Sequence, residues 1–144
     1  MLVRKVFETT QPINRLSLPA RYVLATVIVA IFAALRWALQ SLLDPVPFLL
    51  FFPAILIIAL VIDHGTAIYA SILSILLAIF FFIPPYYSLA IADARLAFAA
   101  LLTLLIMLLM AWLIENLREK TLSLAKVEQQ QRLLRAEMHH RIKN

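Results

Sequence analysis

Residues 96–144, "LAFAALLTLLIMLLMAWLIENLREKTLSLAKVEQQQRLLRAEMHHRIKN", decide the fold. Between Leu96 and Ile114 there is no charged side chain, and a helix of that length suffices to cross the roughly 30 Å hydrocarbon core of a bilayer. At Glu115 the composition turns abruptly to charged and amide residues, yet no glycine or proline follows. The same helix is therefore expected to leave the membrane and run on into water.

Three more apolar runs lie upstream. The first is "YVLATVIVAIFAALRWALQSLL", from about Tyr22 to Leu43; the second is "VPFLLFFPAILIIALVI", from about Val46 to Ile62; the third is "TAIYASILSILLAIFFFI", from about Thr66 to Ile83. Each approaches or meets the spanning range of about 17–25 residues. The second is short and carries Pro53, which predicts a kink. Pro84 and Pro85 close the third, because proline cannot continue a helix. "DPVP" and "DHG" leave almost no loop and "PPYYSLAIADAR" is little longer, so the connections hold no ligand-binding domain. The expectation is an all-α membrane protein: an N-terminal segment 1–19, a four-helix transmembrane unit 20–116, and a dimerising helix 117–144.

Composition and charge agree. The 144 residues are 64% hydrophobic and 15% charged, with a single glycine, which is too apolar for a soluble domain of this size. The net charge of +5 sits at the chain ends, flanking apolar spans rather than forming a reading surface, so a bilayer is the expected partner and nucleic acid is not. Arg4, Lys5, Arg15 and Arg21 precede the first span, and Arg118, Lys120, Lys126, Arg132, Arg135, Arg141 and Lys143 follow the fourth; Arg95 alone marks the opposite side. The positive-inside rule then puts both termini in the cytoplasm. With no cysteine and three histidines that lack converging carboxylates, no metal or bound cofactor is expected.

From Leu113 onward, Leu113, Leu117, Leu124, Val127, Leu134 and Met138 fall on one alternating four-and-three register, with Lys120, Gln131 and Arg141 as its polar positions. A narrow seam of this kind predicts a parallel coiled-coil homodimer, the alternative being an amphipathic helix on the membrane surface. His139 and His140 lie off the seam, where an imidazole faces solvent. Neutral imidazole is a competent nucleophile near physiological pH, and phosphoryl transfer asks mainly for positioning and charge stabilisation. Glu137 lies three residues before His140 and Asn144 four after it, toward the same helical face, and Arg141 offers charge-assisted hydrogen bonds to a phosphoryl group.

"EMHHRIKN" resembles the phosphoacceptor box of sensor histidine kinases whose motif reads His-Arg-x-x-Asn. The resemblance implies His140 as the phosphoacceptor, with Arg141 and Asn144 as the other fixed positions and Glu137 as a neighbouring acid–base candidate. The apolar part, "PFLLFFPAILIIALVIDHGTAIYASILSILLAIFFFIPPYYSL", is similar to the four-helix transmembrane domain, of unknown function, found in the potassium-responsive sensor kinase KdpD and many other bacterial sensor kinases. That likeness covers roughly residues 20–116. Where the family's turn between spans two and three is commonly glycine-rich, this chain has only Gly65, and close packing is expected to use Ala67, Ala70, Ser71, Ser74 and Ala78 instead.

The resemblance implies the input half of a two-component sensor in the bacterial inner membrane. His140 would take the γ-phosphoryl group of ATP and pass it to a response-regulator aspartate. The chain stops inside the phosphoacceptor helix, so ATP and Mg²⁺ are implied for a separate catalytic domain, and this polypeptide is not expected to act as a kinase alone. The competing expectation is a small four-span scaffold that dimerises through its cytoplasmic helix. Three smaller readings complete the sequence. Arg36, inside the first span, is expected to snorkel to the outer interface rather than pair with Asp44 or Asp93. Asp63 and His64 are read as a polar turn capping the third helix, and Trp37, Tyr86, Tyr87 and Trp112 as interfacial anchors.

Overall fold

The computed structural model describes Lys5, residues 15–44 and residues 46–144. Most of the expected N-terminal segment, and Pro45 of "DPVP", lie outside the described residues. Five helices lie wholly within the described residues: α1, Leu18–Ala38; α2, a single turn, Gln40–Leu43; α3, Phe51–Val61; α4, His64–Phe82; and α5, Ala94–Lys143. There is no strand among the described residues.

Three of these helices, α1, α4 and α5, are long and apolar enough to cross a membrane. This is the signature of a membrane protein, but the expected second span differs from the sequence reading. Only Phe51–Val61 of it is helical, 11 residues, about 16 Å of rise against a core of roughly 30 Å. Residues 46–50 form tight turns instead, with the Leu49 N–H donating to Val46 O at 3.4 Å and the Phe51 N–H to Phe48 O at 3.1 Å. The prolines explain this: Pro47 disfavours helical backbone at Val46 and, like Pro45, has no N–H to give. The start at Phe51 also disposes of the expected kink. Pro53 falls in the first turn, where the N–H it lacks would have had no intrahelical partner.

The first span is displaced too. It begins at Leu18, with Pro19 in its first turn, a position proline favours. It ends at Ala38, where Leu39 leaves the helical region at φ −98°, ψ 17°. Downstream, α4 stops at Phe82 before Pro84 and Pro85, and α5 runs for 50 residues without interruption. At 1.5 Å per residue α5 is about 75 Å long, so it extends well over 40 Å beyond a bilayer that its apolar half would fill.

Packing centres on α3 and α4. Both α1 and α5 pack against this hairpin, and 44% of the apolar window of α4 is buried against 11% of that of α1. The core joins Ala25 and Val29 of α1, Phe51, Ile55 and Ile58 of α3, and Met107 and Ala111 of α5. They meet a stripe on α4 made of Ala67, Ala70, Ser71, Ser74 and Ala78, each fully buried. Small side chains let the backbones approach closely, which is how helices associate where lipid removes the usual hydrophobic drive. Two hydroxyls in the apolar segments are satisfied locally, while Thr66 Oγ1 and Ser74 Oγ, both buried on α4, have no hydrogen-bond partner among the described residues. Ser71 Oγ donates to Ala67 O at 2.8 Å, and Thr103 Oγ1 to Ala99 O at 2.7 Å, each back to the carbonyl four residues earlier. Between helices, Thr26 Oγ1 and Tyr69 Oη lie 3.1 Å apart, beside an edge-on Tyr22–Tyr69 ring pair.

Candidate functional site

The turn between α3 and α4 is held from two sides. Asp63 is the N-cap of α4, as the sequence predicts: its Oδ1 accepts the Thr66 N–H at 2.6 Å, satisfying one of the donors that every helix start leaves free. Its other oxygen, Oδ2, accepts from Arg21 Nη1 at 3.1 Å, tying the start of α1 to the start of α4. Burial opposes ionisation of Asp63, but the hydrogen bonds of Thr66 and the Arg21 guanidinium outweigh it, holding the carboxyl below its ordinary value of 3.8.

From the far side comes Arg118 of α5. Its Nη2 donates to Ala59 O at 2.9 Å and Leu60 O at 2.8 Å, and its Nη1 to Ile62 O at 3.3 Å. Those carbonyls belong to the C-terminal end of α3, which carries unpaired acceptors and a partial negative charge. A planar guanidinium fork matches such a cluster, and a hydrogen bond with an ionised donor contributes roughly 1.5–3 kcal/mol. Glu115, one turn back on α5, lies 3.4 Å from Nη1. With only 13% of the Arg118 side chain exposed, its contacts hold α5 against the hairpin just where the composition turns polar. Sequence reasoning counted Arg118 and Arg21 only as orienting charges; their partners on other helices lie 42 to 59 positions away in the chain.

Past this point α5 stands clear of the bundle. Every residue from Lys126 to Asn144 is exposed, so among the described residues Glu137, His139, His140, Arg141 and Asn144 are brought next to no other element. The helix continues through Lys143, which places Glu137 and His140 one turn apart on one face and leaves Asn144 at its C-terminal cap. The seam residues Leu113, Leu117, Leu124, Val127, Leu134 and Met138 are all uncovered, Leu124 being 66% exposed.

At the opposite end of the bundle the structure corrects the reading of Arg36. It does not snorkel: its relative exposure is 1%. Nη2 donates to Leu43 O at 2.9 Å and the guanidinium stacks 4.9 Å from the Phe82 ring centroid. Neither Asp44 nor Asp93 pairs with it; Asp93 instead caps α5, its Oδ1 accepting the Arg95 N–H at 2.8 Å. The acceptor is a carbonyl at the end of the short turn α2, seven residues along the chain, and Arg36 is enclosed with it. Nε and Nη1 have no hydrogen-bond partner among the described residues. Close by, Trp37, Gln40, Phe81, Phe82, Tyr86 and Tyr87 line a cavity of about 220 Å³. No group of three or more His, Asp or Glu side chains suited to a metal ion occurs among the described residues.

The model of one protein family, a domain of unknown function (DUF4118), matches residues 22–135. The chain belongs to this family. The DUF4118 match takes in α1 from Tyr22 onward, the whole of α3 and α4, and α5 as far as Arg135, five residues short of His140. The membrane bundle, the Asp63 cap and the Arg118 contacts are thus inside the DUF4118 region, while the histidine box lies beyond it. No curated protein matches the chain, and no solved structure does.

Proposed function

We propose that this DUF4118 chain is the membrane input part of a bacterial two-component sensor histidine kinase. In this reading α1, α3, α4 and the apolar half of α5 form a four-helix unit in the inner membrane, with α3 and the turns before it making the short second crossing. Both termini face the cytoplasm. Two copies pair through the seam of α5, and a signal received in or near the bilayer travels along that helix to the box at its end. The observation that carries the reading is the continuity of α5, which joins the packed bundle to an exposed His140 through 50 residues of unbroken helix.

The chemistry is a phosphoryl relay. An imidazole nitrogen of His140 attacks the γ-phosphorus of ATP as the bond to the β-phosphate oxygen breaks, and ADP leaves. A response-regulator carboxylate then takes the phosphoryl group, restoring the free imidazole. Arg141 neutralises charge on the phosphoryl oxygens, Asn144 and Glu137 flank it on the same face, and ATP with Mg²⁺ comes from a nucleotide-binding domain. The test is to fuse residues 1–144 to the dimerisation and ATP-binding portion of a kinase with the same box and measure acid-labile phosphate. Label that disappears in His140→Gln supports the assignment. Equal label mapping to His139 moves the acceptor by one residue, and no label in an intact dimeric fusion overturns the kinase reading in favour of a membrane scaffold.

A further inference from the structure

We propose that Arg118 is a positioning residue: a latch that sets the rotation and depth of α5 against the α3–α4 hairpin, so that movement of the hairpin is passed to the exposed part of the helix. Calling that part an output helix rests on the sensor reading above. The latch itself rests on geometry alone.

Arg118 sits four residues beyond Ile114, the last buried residue of α5, and its side chain bonds across to the C-terminal end of α3. Its three acceptors, the carbonyls of Ala59, Leu60 and Ile62, are backbone atoms and cannot follow it by changing rotamer. One residue of slippage along α5 displaces the guanidinium by about 1.5 Å and turns it by about 100°, which removes it from all three. The contact therefore reports a single register. Hairpin motion reaches it directly, because α3 is only 11 residues long and passes into α4 through a turn of two residues, Ile62 and Asp63. The same turn is anchored to α1 by Arg21. Both α1 and α5 are thus bonded to the turn that joins α3 and α4, and α5 runs on outward from it as far as Lys143. From Arg118 to His140 is about 33 Å of helix with no glycine or proline to absorb a rotation.

The absence of native cysteine allows spin labels to be placed at chosen pairs in the full chain, reconstituted in lipid nanodiscs and diluted with unlabelled chain so that distances within one chain dominate. One pair, Ile72→Cys on α4 and Gln130→Cys on α5, reads the setting of the outer helix. A reference pair, Val23→Cys on α1 and Leu76→Cys on α4, reads the bundle. Arg118→Gln is expected to shift the first distance by at least about 3 Å, two residues of helical rise, or to broaden it to that extent, with the reference distance unchanged. Lys120→Gln, a neighbouring charge removed from an exposed position, should leave both as they were. An Arg118→Gln distribution that superimposes on the native one overturns the latch. Equal broadening of both pairs overturns it too, since Arg118 would then only stabilise the bundle. None of these distances depends on phosphorylation, so failure of the latch is distinguishable from failure of the sensor reading.

Discussion

Arg21 and Asp63, 42 residues apart, form a 3.1 Å ion pair that ties the first turn of α1 to the N-cap of α4. One carboxylate therefore does two things, capping a helix with one oxygen and joining a second helix with the other. The two contributions separate by mutation. Asp63→Ala loses both and should cost about 1–2 kcal/mol, the usual range for an N-cap with a modest addition from the pair. Asp63→Asn keeps a capping acceptor and should cost less than half as much. Thermal unfolding in detergent measures the difference, and equal losses in the two variants would show that the cap carries little.

The same carboxylate has an acid-side signature. Its folded pKa is depressed below 3.8, so the stability it supplies is fully present above that value and is lost as pH falls through the folded one. Stability should not change on this account between about pH 5 and 8, and should fall only below about pH 4. In Asp63→Asn that decline should be smaller than in the native chain. A native chain that loses stability from this source near neutral pH would contradict the sign.

Arg36 leads to a less intuitive expectation. A guanidinium with 1% exposure, one carbonyl partner and two unpartnered nitrogens keeps a desolvation cost that its single bond and its Phe82 stacking only partly offset. Arg36→Met removes that cost at the expense of one hydrogen bond, leaving Leu43 O to find water, a loss of about 1–3 kcal/mol. The variant should unfold no more than about 1 kcal/mol more easily than the native chain, since replacing buried charge by apolar volume is often neutral or stabilising. A loss beyond about 3 kcal/mol would mean that Arg36 has a strong partner in the membrane.

The small-residue stripe on α4 predicts the opposite sensitivity. Ala70 and Ser74 have no exposed surface, and larger side chains there would push α1, α3 or α5 away. Ala70→Leu should cost about 1–3 kcal/mol or more by overpacking, whereas Ile72→Leu on the exposed side of the same helix should be nearly neutral. The comparison is made by melting both in the same detergent. Equal behaviour would place the close contacts elsewhere.

What could be read in advance was whatever short-range chemistry decides. Apolar runs announced the helices, Pro84 and Pro85 the end of α4, Asp63 its start, and the lack of glycine or proline after Ile114 the unbroken α5. The second apolar run is helical over only part of its length, which hydropathy cannot foresee because it does not separate a helix from a turn when both are made of valine, phenylalanine and leucine; the prolines at 45 and 47 are the sequence signal of the difference. The enclosure of Arg36 is not legible in the sequence because it depends on packing against Phe82 of α4 and on a backbone carbonyl, Leu43 O, that no pattern marks. Arg118 was seen as one charge among several, since its acceptors are backbone carbonyls, which every residue has and no pattern marks.

The exposed seam of α5 is the part of the structure that most needs a second chain. Leu124, Val127, Leu134 and Met138 project into solvent along one line for four turns, and in the sensor reading they meet their own copies. A parallel in-register pair brings equivalent seam residues to within disulfide reach and keeps the outer face apart. In the native cysteine-free background, Leu124→Cys should cross-link under mild oxidation in membranes, while Gln129→Cys, on the far side of the same helix, should not. Cross-linking at both positions would indicate collision rather than a seam. Cross-linking at neither, in protein shown to be inserted, would remove the dimer and leave α5 a single helix whose apolar line has to rest on the membrane surface.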